Sequence, residues 1–414
     1  MSKRIVITGM GILSPVGIGV ETYWKSLLEG KSGIRPVTHF DPAAFDTRIN
    51  GDVIDYDALK YFNSKDARNL SRFIQFGVVA ANEAIAQAKL DVKALPDPCR
   101  VGVVVGSGIG SIQSAEEEYG KYLEKGPSRI SPFFITRMII NEVAGQISIN
   151  SGAMGPCFSI VTACATANNC IGEAMRMIQH GEIDIAIAGG AESATSHIGL
   201  GGFSSLKALS RRNDEPTKAS RPFDLNRDGF VMGEGAGIVI IETLESAKAR
   251  GATILAELVG YGRTADAYHI TAPHEEGLGA IKAMEFAIKD AGMVPSDISY
   301  INAHGTSTKL NDQIETLAIK KLFGDHARKV PISSTKSMTG HLLGAAGGIE
   351  LIACVMSIRD NMVHPTINYE TPDPLCDLDY VPNKARQVQV NVALSNSLGF
   401  GGHNATLVVK RFKE

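Results

Sequence analysis

No two of the six cysteines are spaced as Cys-x-x-Cys, which removes the usual signature of a zinc ribbon or a thioredoxin-like pair. There is no His-Glu-x-x-His zinc motif and no Gly-x-x-x-x-Gly-Lys-Ser/Thr phosphate loop. No window approaches the apolar length of a membrane span, so no membrane partner is expected. Nor does either sign of charge dominate. A formal net charge of −3 gives no reason to expect nucleic acid as a partner. Tryptophan occurs once and aromatics make up 6%. After Met1-Ser2-Lys3-Arg4 the chain enters a short strand-like run, Ile5-Val6-Ile7-Thr8, without the longer apolar stretch and small-residue site of a secretory leader. The expectation is a soluble protein in a reducing cytoplasmic compartment, with Cys99, Cys157, Cys164, Cys170, Cys354 and Cys376 mostly free.

What the chain does have is length, core and glycine. Its 414 residues are 44% hydrophobic, enough for a large buried interior, and 43 glycines provide for tight turns and close backbone contacts. Apolar strand runs at 4–8, 101–105, 157–161, 184–189, 237–242, 254–259, 298–302, 390–395 and 404–409 alternate with helical patterns near 69–88, 165–180, 277–291, 311–322 and 344–358. This alternation predicts an α/β protein with mostly parallel sheets covered by helices. A weak internal repeat runs through it. The run 101–105 into Gly106-Ser107-Gly108 has its counterpart in 300–303 into His304-Gly305-Thr306. The run 158–164 into a helix matches 331–336 ahead of the helix near Gly344, and 184–188 into Gly189-Gly190 matches 392–396 into Gly399-Phe400-Gly401-Gly402. Two similar halves packed together, 1–253 and 254–414, account for the length. The polar stretch 210–221 reads as a long surface loop.

Three segments are candidates for chemistry. Cys164 ends a β-branched run, has small neighbours and precedes a helix. A strand-to-helix turn of that kind exposes a nucleophile, and a helix N-terminus lowers a thiol pKa. The local sequence leaves a buried structural cysteine as the alternative. Cys157, Cys170 and Cys354 lack such a turn and read as core. His304 and His341 each stand beside glycine and small or hydroxyl residues, a setting for a site or for a hydrogen-bonded structural histidine. With Cys164 they suggest a thiol nucleophile and two imidazoles. Asn396-Ser397-Leu398-Gly399-Phe400-Gly401-Gly402-His403-Asn404 could turn backbone N–H groups toward a thioester oxyanion, or could be a plain hairpin turn. Gly9-Met10-Gly11 and Gly106-Ser107-Gly108 have Ser14 and Ser111 where a dinucleotide fingerprint needs a third glycine.

Taken together, these residues resemble the β-ketoacyl-acyl carrier protein synthases. The resemblance rests on Thr162-Ala163-Cys164, on His304-Gly305-Thr306-Ser307-Thr308, on Lys336-Ser337-Met338-Thr339-Gly340-His341 and on Gly399-Phe400-Gly401-Gly402. Arg227-Asp228-Gly229-Phe230 and Gly233-Glu234-Gly235-Ala236-Gly237 extend it, and Asp266-Ala267-Tyr268-His269 with Lys336-Ser337-Met338 is similar to the type II rather than the type I enzymes. The implied fold is thiolase-like, with two related halves in five layers, αβαβα, usually as a homodimer. The implied reaction is a decarboxylative Claisen condensation that consumes no metal or nucleotide. An acyl chain moves from the phosphopantetheine thiol of acyl carrier protein to Cys164, and malonyl-carrier protein then extends it by two carbons.

The resemblance also implies roles. His304 and His341 would donate hydrogen bonds to the enolate. The N–H groups of Cys164 and Phe400 would form the oxyanion hole, and Lys336 would be a fixed charge paired with Glu350. Thr306 and Thr308 match residues that bind the pantetheine arm, Phe400 with Gly399 the gate, and Ile109, Phe134 and Phe203 the acyl pocket. Lys65, Arg68, Arg129 and Lys207 would dock the acidic carrier. Leu398 departs from a Phe found in many type II enzymes, which bears on gating and chain length. A polyketide condensing enzyme shares every motif. A thiolase would need a second catalytic cysteine near the C-terminus, and none follows Cys376. A non-catalytic chain-length partner would lack Cys164.

Overall fold

The computed structural model describes residues 3–414; Met1 and Ser2, where the leaderless opening was read, lie outside them. Ten strands carry the architecture. In the first half they are β1 (Ile5–Ser14), β2 (Val101–Gly106), β3 (Cys157–Phe158), β4 (Ile185–Glu192) and β5 (Gly235–Thr243). In the second half they are β6 (Ala256–Ala265), β7 (Tyr300–Asn302), β8 (Ile332–Ser333), β9 (Val392–Gly399) and β10 (His403–Lys410). The first five run in the order β3-β2-β4-β5-β1 and the second five in the order β8-β7-β9-β10-β6, so one topology occurs twice. The two meet where Ile5–Ile7 of β1 pairs antiparallel with Ala256–Leu258 of β6.

Helices fill three layers around these sheets. α1 (Arg72–Ala88) and α2 (Glu142–Ser151) cover the outer face of the first sheet with Phe73, Phe76, Val143 and Ile147. α4 (Leu278–Asp290) and α5 (Lys309–Phe323) cover the second with Met284, Ile288, Ile319 and Phe323. Between the sheets lie α3 (Thr166–Gln179) and α6 (Ala346–Asp360). α6 is buried from Ala346 to Ile358, as a helix apolar on all sides must be. The central strands are buried on both faces. In β5, Ala236, Ile238 and Ile240 join the outer core while Val239 and Ile241 join the inner one, the two-residue period of a strand.

The structure departs from the sequence expectation in five places. Each half-sheet is mixed, because β5 and β10 lie antiparallel to β4 and β9; the glycine turn after β9 makes a hairpin, which can join only antiparallel strands. The expected strand over 157–161 is only β3, since Ser159 Oγ donates to the Val105 carbonyl (2.6 Å) and the chain then leaves the sheet. Cys157, expected in the core, is exposed because β3 is an edge strand; Cys170 and Cys354 are buried as expected. The stretch 210–221 is a surface loop only in its middle. Ser210, Ser220 and Arg221 are buried, and Arg221 is tied to Asp224 (3.0 Å) and Glu370 (2.8 Å). The helix Ile112–Lys125 was not among the expected elements, although Ile112, Ala115, Tyr119, Tyr122 and Leu123 recur at helical spacing; the side chains it buries are Ser114 and Glu118.

Candidate active site

The same turn is built twice. A one-turn 3-10 segment, Ala163–Ala165, leads into α3, and its equivalent, Leu343–Ala345, leads into α6. Each begins with a non-glycine residue in the left-handed region, Ala163 at φ 49° and Leu343 at φ 46°. Such strain persists where the surroundings over-determine it. Around Ala163 they do so through Thr162: its N–H donates to Thr166 Oγ1 (2.9 Å) and its hydroxyl accepts from Asn169 Nδ2 (2.7 Å). The position equivalent to Cys164 is Gly344. A Cβ there would stand 2.3 Å from the Gly108 amide nitrogen.

His304 follows β7. Its N–H and that of Gly305 each donate to one oxygen of Glu315 on α5, both at 2.8 Å, and burial pushes that carboxyl up to about 7. His341 is held from the other side: its N–H donates to Val231 O (2.7 Å), and its carbonyl accepts from Gly233 N–H (2.9 Å). Glu192, at the end of β4, accepts from the N–H groups of Gly108 (2.7 Å) and Gly344 (2.9 Å) and so joins the two halves behind the site. Neither Glu192 nor Glu315 was legible in the sequence, because each acts on backbone distant in the chain and carries no local motif.

These supports bring Cys164 Sγ and one ring nitrogen of each histidine within 4.8 Å of one another, with the imidazole centroids 5.2 Å apart. Burial, helped by the Lys336 charge, holds both imidazoles well below their usual pKa, so they are neutral. The position of each proton follows from the partners. Lys336, ion-paired with Glu350, donates to His304 Nδ1 (3.3 Å), and the Leu343 N–H donates to His341 Nδ1 (3.2 Å). A neutral ring accepting at Nδ1 carries its proton on Nε2. His341 Nε2 is buried and has no partner. The three atoms have the spacing of a metal-ligand set, yet both rings turn an N–H rather than a lone pair to the centre. The arrangement suits an incoming oxygen that gains negative charge. Residue-specific ¹⁵N NMR is expected to show both Nε2–H tautomers persisting from about pH 8 to about pH 5.5, because a depressed pKa postpones protonation. A titration midpoint near 6.5 for either ring would contradict this assignment.

Cys164 differs from the expected low-pKa thiol. Burial pushes it up to about 12, opposed by the Lys336 charge and by the nearby Phe400 backbone N–H. Phe400 lies in the glycine turn between β9 and β10, where Gly401 (φ 84°) and Gly402 (φ 74°) take conformations other residues avoid. Gly399 packs against the nucleophile turn so closely that a Cβ would stand 3.2 Å from the Cys164 nitrogen. The segment is thus a hairpin turn and also a source of N–H groups at the sulfur.

A cavity of about 430 Å³ opens over the three residues and takes in Ile109, Phe203, Thr306, Thr308, Leu398, Gly399 and Phe400, with Lys207 at its edge. Lys336 and Glu350 stand behind His304, fully buried. Phe134 lies on the short helix Phe134–Met138 and is not among the residues lining this cavity. Lys65, Arg68 and Arg129 are exposed and outside the cavity.

Comparison with known proteins agrees with this geometry. The models of the β-ketoacyl synthase N-terminal and C-terminal domains match residues 2–247 and 255–370. The chain is 52% identical over 411 residues to 3-oxoacyl-[acyl-carrier-protein] synthase 2 of Synechocystis sp., covering 99% of both chains. It is 51% identical over 412 residues to the protein of that name from Staphylococcus aureus strain COL, covering 100% of this chain and 99% of the other. Among solved structures it superposes with a TM-score of 0.93 and 36% identity, over 100% of both chains, on a type II polyketide ketosynthase bound to a hexaketide and in complex with its acyl-carrier protein. No helix among the described residues is long and apolar enough to cross a membrane. The fold is the thiolase-like αβαβα arrangement of condensing enzymes, and the chain belongs to the β-ketoacyl synthase family.

Proposed function

We propose that the site performs the condensation as follows. The protein is a β-ketoacyl-[acyl-carrier-protein] synthase, an acyltransferase of type II fatty-acid elongation. Identity of 51–52% to relatives so named, against 36% to the polyketide ketosynthase, favours fatty-acid over polyketide condensation. In the first half-reaction Cys164 Sγ attacks the carrier-bound acyl thioester. The N–H groups of Phe400 and Cys164 receive the carbonyl oxygen. The thiol proton leaves with the departing pantetheine thiol, so no net proton is taken up. In the second, malonyl-carrier protein occupies the vacated tunnel. Its carboxylate departs as carbon dioxide, and the electron pair left behind forms an enolate whose oxygen accepts from Nε2–H of His304 and His341. The enolate carbon attacks the acyl group, the Cys164 thiolate leaves, and it takes up one proton from solvent, so each turnover consumes one proton. Lys336 with Glu350 fixes the tautomer of His304. Thr306 and Thr308 hold the pantetheine arm, and Ile109, Phe203, Gly399 and Phe400 bound the acyl chain.

The observation that carries this reading is the pair of neutral Nε2–H donors converging on one buried thiol. The wider organisation proposed is a cytoplasmic homodimer of chains divided into halves 1–253 and 254–414. Its support is the doubled strand order, together with an edge at β3 where Ile149, Met154, Phe158 and Val161 are exposed beside unpaired backbone. Such a contact would bring Phe134 toward the neighbouring subunit. Lys65, Arg68, Arg129 and Lys207 would meet the acidic carrier by charge.

The purified protein, given acyl- and malonyl-carrier protein, is expected to yield a β-ketoacyl-carrier protein two carbons longer and one carbon dioxide per turnover. Product formed equally well from coenzyme A thioesters without malonyl decarboxylation would point to a thiolase instead.

A further inference from the structure

The chemistry at the bottom of the cavity leaves open how its mouth recognises the far end of the substrate arm. Exposure rises along one short segment, from His304 and Thr306, which are buried, through half-buried Thr308 to exposed Lys309, so this segment runs from floor to rim. Leu206, Lys207, Leu310 and Asn311 share that rim. Beside it lies a second, open recess lined by Arg212, Arg221, Arg227 and Glu370, and Lys309 and Asp228 belong to both hollows.

The charges of this recess are unequally engaged. Arg221 pairs with Asp224 and Glu370, Arg227 with Asp312 and Asp373, and Arg212 reaches Glu215 at 3.8 Å. Among the described residues, no carboxylate lies within ion-pair distance of the Lys309 ammonium. Asp228 shares the junction and works against an anion there, although its Oδ2 already accepts the Arg211 N–H (3.0 Å). Among the described residues Lys207 likewise has no carboxylate within ion-pair distance, but of these two rim cations only Lys309 also lines the recess.

We propose that Lys309 binds the phosphodiester at the outer end of the phosphopantetheine arm, with Arg212 as the next cation along the recess. The inference rests on the carrier-protein reading above and deepens it. The arm is an uncharged chain with a thiol at one end and one anionic group at the other. Two threonine hydroxyls lie along the tunnel between Cys164 and Lys309, and of the two ammonium groups at its opening, Lys207 and Lys309, the second is the one shared with the recess. Lys309 is then a specificity residue that separates phosphorylated arms from unphosphorylated ones. It has no part in bond making, and its contribution falls with added salt because the site is exposed.

The test uses two minimal donors that differ only in the phosphate, butyryl-phosphopantetheine and butyryl-pantetheine, with acyl transfer to Cys164 of the full chain followed by mass spectrometry. The intact protein is expected to show about a threefold to tenfold lower KM for the phosphorylated donor, the range of an exposed charge-assisted contact. Lys309→Ala should erase that preference and leave butyryl-pantetheine unchanged, Lys309→Arg should retain it, and Lys309→Glu should invert it. A preference that survives in Lys309→Ala overturns the proposal, as does equal loss with both donors, which would mark Lys309 as structural. Failure of the intact protein to accept either donor would overturn the acyl-transfer reading itself. Loading of both donors without any preference would overturn only the phosphate site.

Discussion

Cys164→Ala is expected to abolish covalent acylation while leaving malonyl decarboxylation measurable. The reason is that the two half-reactions use different atoms. The sulfur is the one group that forms a bond to the acyl chain, and its loss removes the covalent intermediate altogether, so a mass gain present in the intact protein should fall below detection. The two Nε2–H donors are fixed by Lys336 and by the Leu343 N–H, neither of which depends on the thiol. The enolate of malonyl-carrier protein can therefore still form, with a proton rather than an acyl group as its fate. Alanine is smaller than the buried thiol it replaces, so the turn should tolerate it. Acyl mass retained on Cys170 or Cys354 in the variant would show that the wrong sulfur has been assigned.

The complementary substitution reverses the pattern. His304→Ala or His341→Ala is expected to slow malonyl decarboxylation by about 10²–10³-fold, the usual cost of removing one preorganised oxyanion donor. Acyl loading should fall much less, because its oxyanion is received by backbone N–H groups at Cys164 and Phe400. The two variants should differ in a secondary way. Removing His304 also leaves the Lys336 ammonium without its ring acceptor, whereas removing His341 leaves only the Leu343 N–H. Stopped-flow detection of carbon dioxide, set against mass-spectrometric loading, separates the half-reactions. Equal damage to both would mean that the rings act on the nucleophile and not on the enolate.

The elements that were legible in the sequence are those whose signal is local. β5 is an apolar run from Ala236 to Ile241 because both of its faces are buried. α3 showed a helical stripe, and the doubled strand order was visible from where glycine turns follow apolar runs. Cys164, His304, His341 and the glycine turn were found for the same reason, each being a reactive or permissive residue at a strand end. What was missed depends on distance in the chain. Glu315 and Glu192 act through backbone N–H groups far from their own positions. The thiol pKa was expected low from the helix end alone, and burial under side chains distant in the chain, such as Val37, Leu200 and Leu343, reverses it.

A chain that builds one turn twice could have carried two thioesters. It carries one, since the Gly108 amide already fills the volume a side chain at Gly344 would need. Acyl occupancy must therefore saturate at a single group per polypeptide. In the proposed reaction the duplicated scaffold also becomes directional: one copy would hold the electrophile, leaving the other free to stabilise the carbanion that attacks it.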